Sequence, residues 1–256
     1  MKKVICRFLI LVFLGLSVVF GYLAYKEYQP ILKSDIQKET IKKMVVSEED
    51  TDDPDSPYNR VIDFEALKRI NKDVVGWLYI PDTSIDYPIL IGDTDTEYLH
   101  KDIEGKYNYL GCIFSFADTS KDLSDARTLL FGHNMRQYTM FGELRRYLEK
   151  DFRKKHTKIY VYTEKKTMEL ETFSIFVCNK NDGIFWDDTT LGSAEYQDLL
   201  KTLDKRNQYS NIEKKNIEEY YNNQMFSLIS CRGAAGTSNR LMVNAIEVRE
   251  KYLLNY

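Results

Sequence analysis

The sequence predicts a mostly β fold with helices: an eight-stranded closed barrel with an N-terminal helix and a long helical insertion, preceded by one transmembrane helix. Three observations lead there. Eight runs rich in β-branched and aromatic residues succeed one another with turn residues between them. A stretch of helical periodicity, Ile184 to Asn223, interrupts two of these runs and is far longer than a hairpin loop. An uncharged apolar run, Phe8 to Tyr25, opens the chain.

That opening run is close to the shortest helix that spans the ~30 Å hydrocarbon core of a bilayer. Lys2, Lys3 and Arg7 precede it, so the positive-inside tendency puts the N-terminus in the cytoplasm and the rest outside. A signal-peptide cut after Ala24 would put bulky Tyr22 where a small residue is needed, which favours an uncleaved anchor over residues 1–25. Residues 26–60 read as a charged extracytoplasmic spacer. Six carboxylates crowd into Glu48 to Asp55, a run that repels itself and lacks the spacing of a calcium loop.

The folded domain is expected over residues 61–256. Asp63 can cap a helix over Phe64–Ile70, whose Phe64, Leu67 and Ile70 share one face. Strands are expected over Val74–Ile80, Asp86–Ile91, Gly111–Phe116, Arg127–Gly132, Lys158–Thr163, Met168–Val177, Phe226–Ser230 and Leu241–Val248. Short strands joined by turns favour closure, which also removes exposed edges. Helices are expected over Met140–Phe152 and, inside the insertion, over Ala194–Leu203 and Glu213–Tyr221.

Composition narrows the function classes. A net charge of −3 without a basic patch argues against nucleic acid as a partner. Hydrophobic residues at 43% and 19 tyrosines supply a core and half-buried pleated surfaces. Of the four cysteines, Cys6 lies in the leader. The other three (Cys112, Cys178 and Cys231) lack zinc-site spacing and cannot all pair, although a Cys112–Cys178 bridge stays open.

Three residues could do chemistry. His133 follows the apolar strand end Leu129-Leu130-Phe131-Gly132, where an imidazole can move protons near neutral pH; a rim histidine bonded to a backbone carbonyl is the plainer alternative. Cys231 ends the strand Met225 to Ser230 just before Gly233-Ala234-Ala235-Gly236, which suits an accessible thiolate. Arg240 opens the next strand, and its planar fork can hold a carbonyl or a developing oxyanion. His100 and His156 stand in charged, surface-like contexts and receive no role.

This His, Cys, Arg order resembles the sortases, and its details resemble class B. Val75-Gly76-Trp77-Leu78 with Ile80-Pro81, Ile85-Asp86-Tyr87-Pro88, Gly111-Cys112-Ile113-Phe114, Gly132-His133-Asn134-Met135, Met140-Phe141-Gly142 and the Cys231/Arg240 pair carry the likeness, together with the insertion before the cysteine strand. The resemblance implies a sortase-like barrel and a membrane-anchored cysteine transpeptidase of the cell surface of a Gram-positive bacterium, with no metal and no organic cofactor. It implies that Cys231 attacks the carbonyl after Thr in the C-terminal sorting signal of a secreted protein. His133 would protonate the leaving amine, Arg240 would steady the oxyanion, and an amine of a peptidoglycan precursor or of a pilin would resolve the thioacyl enzyme. It also places Leu99, Ile229 and Ser230 near the substrate groove. Two departures bear on the preferred signal: Ser227-Leu228-Ile229-Ser230 replaces the family's Thr-Leu-Ser-Thr, and Thr94-Asp95 replaces its Asp-Asn. A pilin-polymerising sortase, a secreted cysteine hydrolase using water, and a tethered binding module are the competing readings.

Overall fold

Alternation along the strands meets a second burying layer here, so several strands are apolar on both faces. The structure, a computed structural model, describes residues 2–47, 53, 55–135, 137–186, 189–209, 216–231 and 237–253. Eight strands follow one another: β1 (Val74–Tyr79), β2 (Asp86–Leu90), β3 (Ile113–Phe114), β4 (Arg127–Gly132), β5 (Lys158–Tyr162), β6 (Lys166–Asn179), β7 (Met225–Cys231) and β8 (Asn239–Tyr252). They close into a barrel in the order β1-β2-β3-β4-β7-β8-β6-β5. β2 with β3 and β4 with β7 pair in parallel, and the other neighbours pair antiparallel.

The described residues also form five α-helices: α1 (Lys2–Val45), α2 (Ser56–Asn59), α3 (Phe64–Ile70), α4 (Lys150–Lys155) and α5 (Ala194–Lys205). The Asp63 carboxylate caps α3 by accepting from the Ala66 N–H at 2.8 Å, and the Ser193 hydroxyl caps α5 by accepting from Tyr196. Phe64, Ala66 and Leu67 pack in one buried cluster with Val74, Trp77 and Leu90. Tyr196, Leu199, Leu200 and Leu203 form the buried stripe of α5, in a cluster with Phe173, Phe176 and Met225. Each fully buried Leu, Val, Phe or Met side chain here contributes about 1.5–3 kcal/mol relative to exposure. The chain divides into two compact units, Met1–Thr40 and Ile41–Tyr256. The first contains most of α1, a helix long and apolar enough to cross a membrane, with an unburied 18-residue window of mean hydropathy 2.5.

Several sequence expectations need revision. Helix α1 runs on to Val45 through part of the expected spacer, whose Lys, Glu and Gln residues are good helix formers. Ile41, Val45 and Tyr58 already belong to the buried cluster, so the body's packing begins before Val61. Most of the acidic run (residues 48–52 and 54) lies outside the described residues. The helix expected over Met140–Phe152 is two pieces, a 3-10 segment Phe141–Leu148 and then α4, because Glu149 between them is extended. Of the helix expected over Glu213–Tyr221, residues 213–215 lie outside the described set and the rest makes one 3-10 turn, Ile217–Tyr220. Strands β6 and β8, at 14 residues each, exceed the expected length, and bulges at 169/170 and 172/174 keep them in register around the barrel. His156 is buried rather than superficial: its Nδ1 meets the Pro81 carbonyl at 3.0 Å, and burial lowers its pKa.

One buried ion pair ties the segment before the barrel to it. Asp86 receives both Arg60 guanidinium nitrogens at 2.9 and 2.8 Å, the Trp77 indole N–H at 2.6 Å and the Lys42 ammonium at 2.6 Å. Burial pushes its pKa up, but the Arg60, Lys42 and Trp77 contacts outweigh that, so Asp86 lies below the usual carboxylate range. The Arg60 side chain is only 1% exposed, and its guanidinium also lies over the Tyr79 ring at 4.2 Å. Asp86→Ala removes the carboxylate that meets the buried Arg60 guanidinium, the Trp77 indole N–H and the Lys42 ammonium, and should destabilise the barrel by about 3–5 kcal/mol, measured as a fall in the urea midpoint. An unchanged midpoint would contradict the ion-pair account.

Candidate active site

Strand register brings three distant positions to one rim. β4 and β7 run parallel with Gly132 opposite Ser230, so both end on the same side of the barrel. The chain leaves β4 at His133 where β7 reaches Cys231. β7 and β8 are antiparallel with Cys231 opposite Arg240, so β8 starts where β7 ends. The imidazole, the cysteine backbone and the arginine thus come from adjoining strand ends. Cys178 pairs with Arg240 from the other side, on β6.

A groove of about 230 Å³ opens at this rim. Phe114, Phe116 and Phe131 form an aromatic floor, with Phe116 and Phe131 ring centroids 4.7 Å apart. Leu99 and Ile229 line it, as do Phe185 and Trp186 from the start of the insertion. Trp186 stacks on Phe116 at 5.7 Å with the planes 6° apart, yet stays 69% exposed. Lys180 and Arg240 bring positive charge, and among the described lining residues there is no carboxylate. Such a groove favours anions, a thiolate or an oxyanion included.

His133 is held by one dipeptide. Its Nε2 lies 2.9 Å from the Leu99 carbonyl oxygen, and its ring stacks on His100 at 5.4 Å with 20° between planes. A carbonyl only accepts, so Nε2 carries the proton and Nδ1 is the nitrogen left to exchange one. Burial lowers the His133 pKa; the Leu99 carbonyl opposes this and His100 adds to it. The Leu99 carbonyl is itself fixed by a close approach. A Cβ on Gly111 would lie 2.4 Å from Leu99 O and 2.6 Å from Tyr98 O, and Gly111 has φ +60°. Cys112 N–H donates to Tyr98 O at 2.9 Å, and the Tyr98 hydroxyl donates to Asp73. Gly132 is crowded too, since a Cβ there would meet the Phe141 ring at 2.8 Å.

Not every expected groove residue lines it. Leu99 and Ile229 do, but Ser230 turns away: it is 3% exposed and its hydroxyl donates to the Phe141 carbonyl at 3.2 Å. Alternation along β7 puts residues 229 and 230 on opposite faces. The Arg240 guanidinium donates to the Thr237 carbonyl at 2.7 Å, a backbone anchor for its fork. Cys112 and Cys178 are free and buried rather than bridged. Burial raises both thiols, Cys178 to about 11 and Cys112 further, so neither is a thiolate at neutral pH. Sequence reasoning missed Phe116, Phe131, Lys180, Phe185 and Trp186. An exposed Trp early in a long insertion was the available signal for the last of these.

Known proteins share this arrangement of the chain. A Sortase domain family model matches residues 78–248. The chain is 29% identical to Sortase B of Staphylococcus aureus over 241 residues, covering 93% of this chain and 96% of that protein. It is 30% identical to Sortase B of Listeria monocytogenes over 165 residues, 64% of this chain and 65% of that one, just under two thirds of the relative's length. The crystal structure of sortase B from Bacillus anthracis in complex with AAEK1 superposes with a TM-score of 0.70 at 25% identity, over 87% of this chain and 99% of the other. The matches run through nearly all of β1 to β8, and on them the chain belongs to the sortase family as a class B member, a sortase transpeptidase.

Proposed function

We propose that this transpeptidase is anchored in the membrane by α1 and joins secreted proteins to the cell wall through Cys231, His133 and Arg240. The register that delivers Gly132-His133, Cys231 and Arg240 to one rim carries the proposal. The apolar, unburied first part of α1 supports the anchor, which keeps the enzyme where secreted substrates emerge. The extracytoplasmic placement of the barrel rests on Lys2, Lys3 and Arg7 before the apolar run.

In the reaction the Cys231 thiolate attacks the carbonyl carbon after Thr in a C-terminal sorting signal. The positive groove favours the thiolate and the tetrahedral oxyanion, and Arg240 meets the oxyanion with its N–H donors. As the C–N bond breaks, the His133 imidazolium gives the leaving amine a proton from Nδ1 while Nε2 stays on Leu99. A thioester remains on Cys231. The acceptor amine of a peptidoglycan precursor then attacks that carbonyl, His133 takes up the amine's proton, and the thiolate leaves. The Phe114/Phe116/Phe131 floor and Ile229 supply an apolar bed for the signal. It lacks a hydroxyl at position 229, which suits aliphatic contact over hydrogen bonding.

Wall anchoring is distinguished from pilin joining and from hydrolysis by the acceptor. Incubation with sorting-signal peptides and competing amines, read by mass, should yield the wall-type amine adduct in excess of the acid. Dominant hydrolysis would favour a cysteine hydrolase. Cys231→Ala should abolish thioacyl trapping, while neutral-pH alkylation of the folded chain leaves Cys112 and Cys178 unmodified; trapping at either would overturn the assignment. Arg240→Lys keeps the charge but loses the fork, and kcat should fall by about 10²-fold, the scale of one lost oxyanion donor. Parental activity in that variant would reduce Arg240 to a point charge. Gly111→Ala must push the Leu99 carbonyl aside, so activity at a temperature where the variant stays folded should drop by at least about tenfold. Retained activity would show that the carbonyl does not place His133.

A further inference from the structure

The stacked pair His100–His133 is unusual for a site whose acid must hold a proton. His100 is exposed, so the fold does not require it, yet its ring covers one face of His133 at 5.4 Å. Its own position is over-determined. Leu99, its neighbour, takes the His133 Nε2–H, Asn108 N–H donates to the His100 carbonyl at 3.0 Å, and the Tyr107 ring leans on the His100 imidazole at 6.4 Å. The Lys101–Glu97 ion pair closes the next turn. One rigid dipeptide therefore holds His133 by a carbonyl on its edge and a ring on its face.

We propose that His100 is a positioning residue for the transpeptidase reaction: its ring clamps the His133 imidazole against the Leu99 carbonyl and, when protonated, opposes a second positive charge there. The inference rests on the reading of His133 as the proton donor. Two like charges a ring-stack apart disfavour one another. Among the described residues, His100 stacks on the His133 ring with Tyr107 against it, Lys180 after β6 and Arg240 on β8 line the same groove, and the β7 backbone ends beside it at Cys231. No carboxylate stands among the described lining residues to offset them. Removing the His100 charge therefore lets His133 hold its proton to higher pH. Removing the whole ring also frees the imidazole to swing away from Leu99.

The chain has three histidines, so each imidazole can be followed by NMR in the ¹³C-histidine-labelled full-length protein in detergent micelles. His100→Phe keeps a flat ring without charge, and His100→Ala removes both. In His100→Phe the midpoint of the His133 titration should move upward, with the pH profile of kcat/KM shifting in the same direction. In His100→Ala kcat should fall about tenfold while KM stays within about twofold, the mark of a misplaced catalytic group rather than lost binding. The proposal is overturned if the His133 midpoint stays put in His100→Phe, or if His100→Ala keeps parental kcat. A His133→Ala control separates the two claims. Full activity in that control would sink the proton-donor reading, while the NMR titration would still report whether the rings couple.

Discussion

The parallel pairing of β4 with β7 is the constraint on which this molecule turns. Parallel neighbours end at the same rim, and the antiparallel β8 begins where β7 stops. Without that pairing, residues almost a hundred positions apart would have no reason to share a groove. Parallel neighbours also require a crossover, and here it contains β5, β6 and the insertion. The insertion's place between β6 and β7 thus follows from the same topology that assembles the site.

Precision at the rim comes from backbone rather than from long side chains. Gly111 lets two loops meet at a distance no Cβ would tolerate, and this fixes the Leu99 carbonyl against which His133 rests. Gly132 does the same under His133 by admitting the Phe141 ring. Electrostatics then act on fixed geometry. Burial strips His133 of solvent and lowers its proton affinity, and the neighbouring His100 works in the same direction while the Leu99 carbonyl opposes both. The Cys112 and Cys178 thiols, pushed up by burial, stay protonated at neutral pH.

Much of this was legible in the sequence, for reasons that can be named. The eight strands could be read because β-branched and aromatic runs end at turn residues, and α5 because Tyr196, Leu199, Leu200 and Leu203 recur with helical spacing. His133, Cys231 and Arg240 could be singled out because each stands at a strand end. What failed was tertiary. Nothing local marks Glu149 as the extended residue that splits an expected helix, or His156 as buried. Ser230 was misplaced by one residue of alternation, the smallest error a strand allows. His100 looked superficial because a stacked partner 33 positions away leaves no trace in local periodicity.

Arg127 sits at the opposite end of β4 from His133. Its guanidinium donates to the Ile184 carbonyl at 2.6 Å and to the Ser227 hydroxyl at 3.1 Å. Ile184 is immediately followed by Phe185 and Trp186, the side of the groove contributed by the insertion. One strand therefore carries the imidazole at its tip and tethers the facing aromatic wall at its root. The width of the cleft and the place of the His133 imidazole are linked through β4, and a ligand that pries the wall outward pulls on that strand.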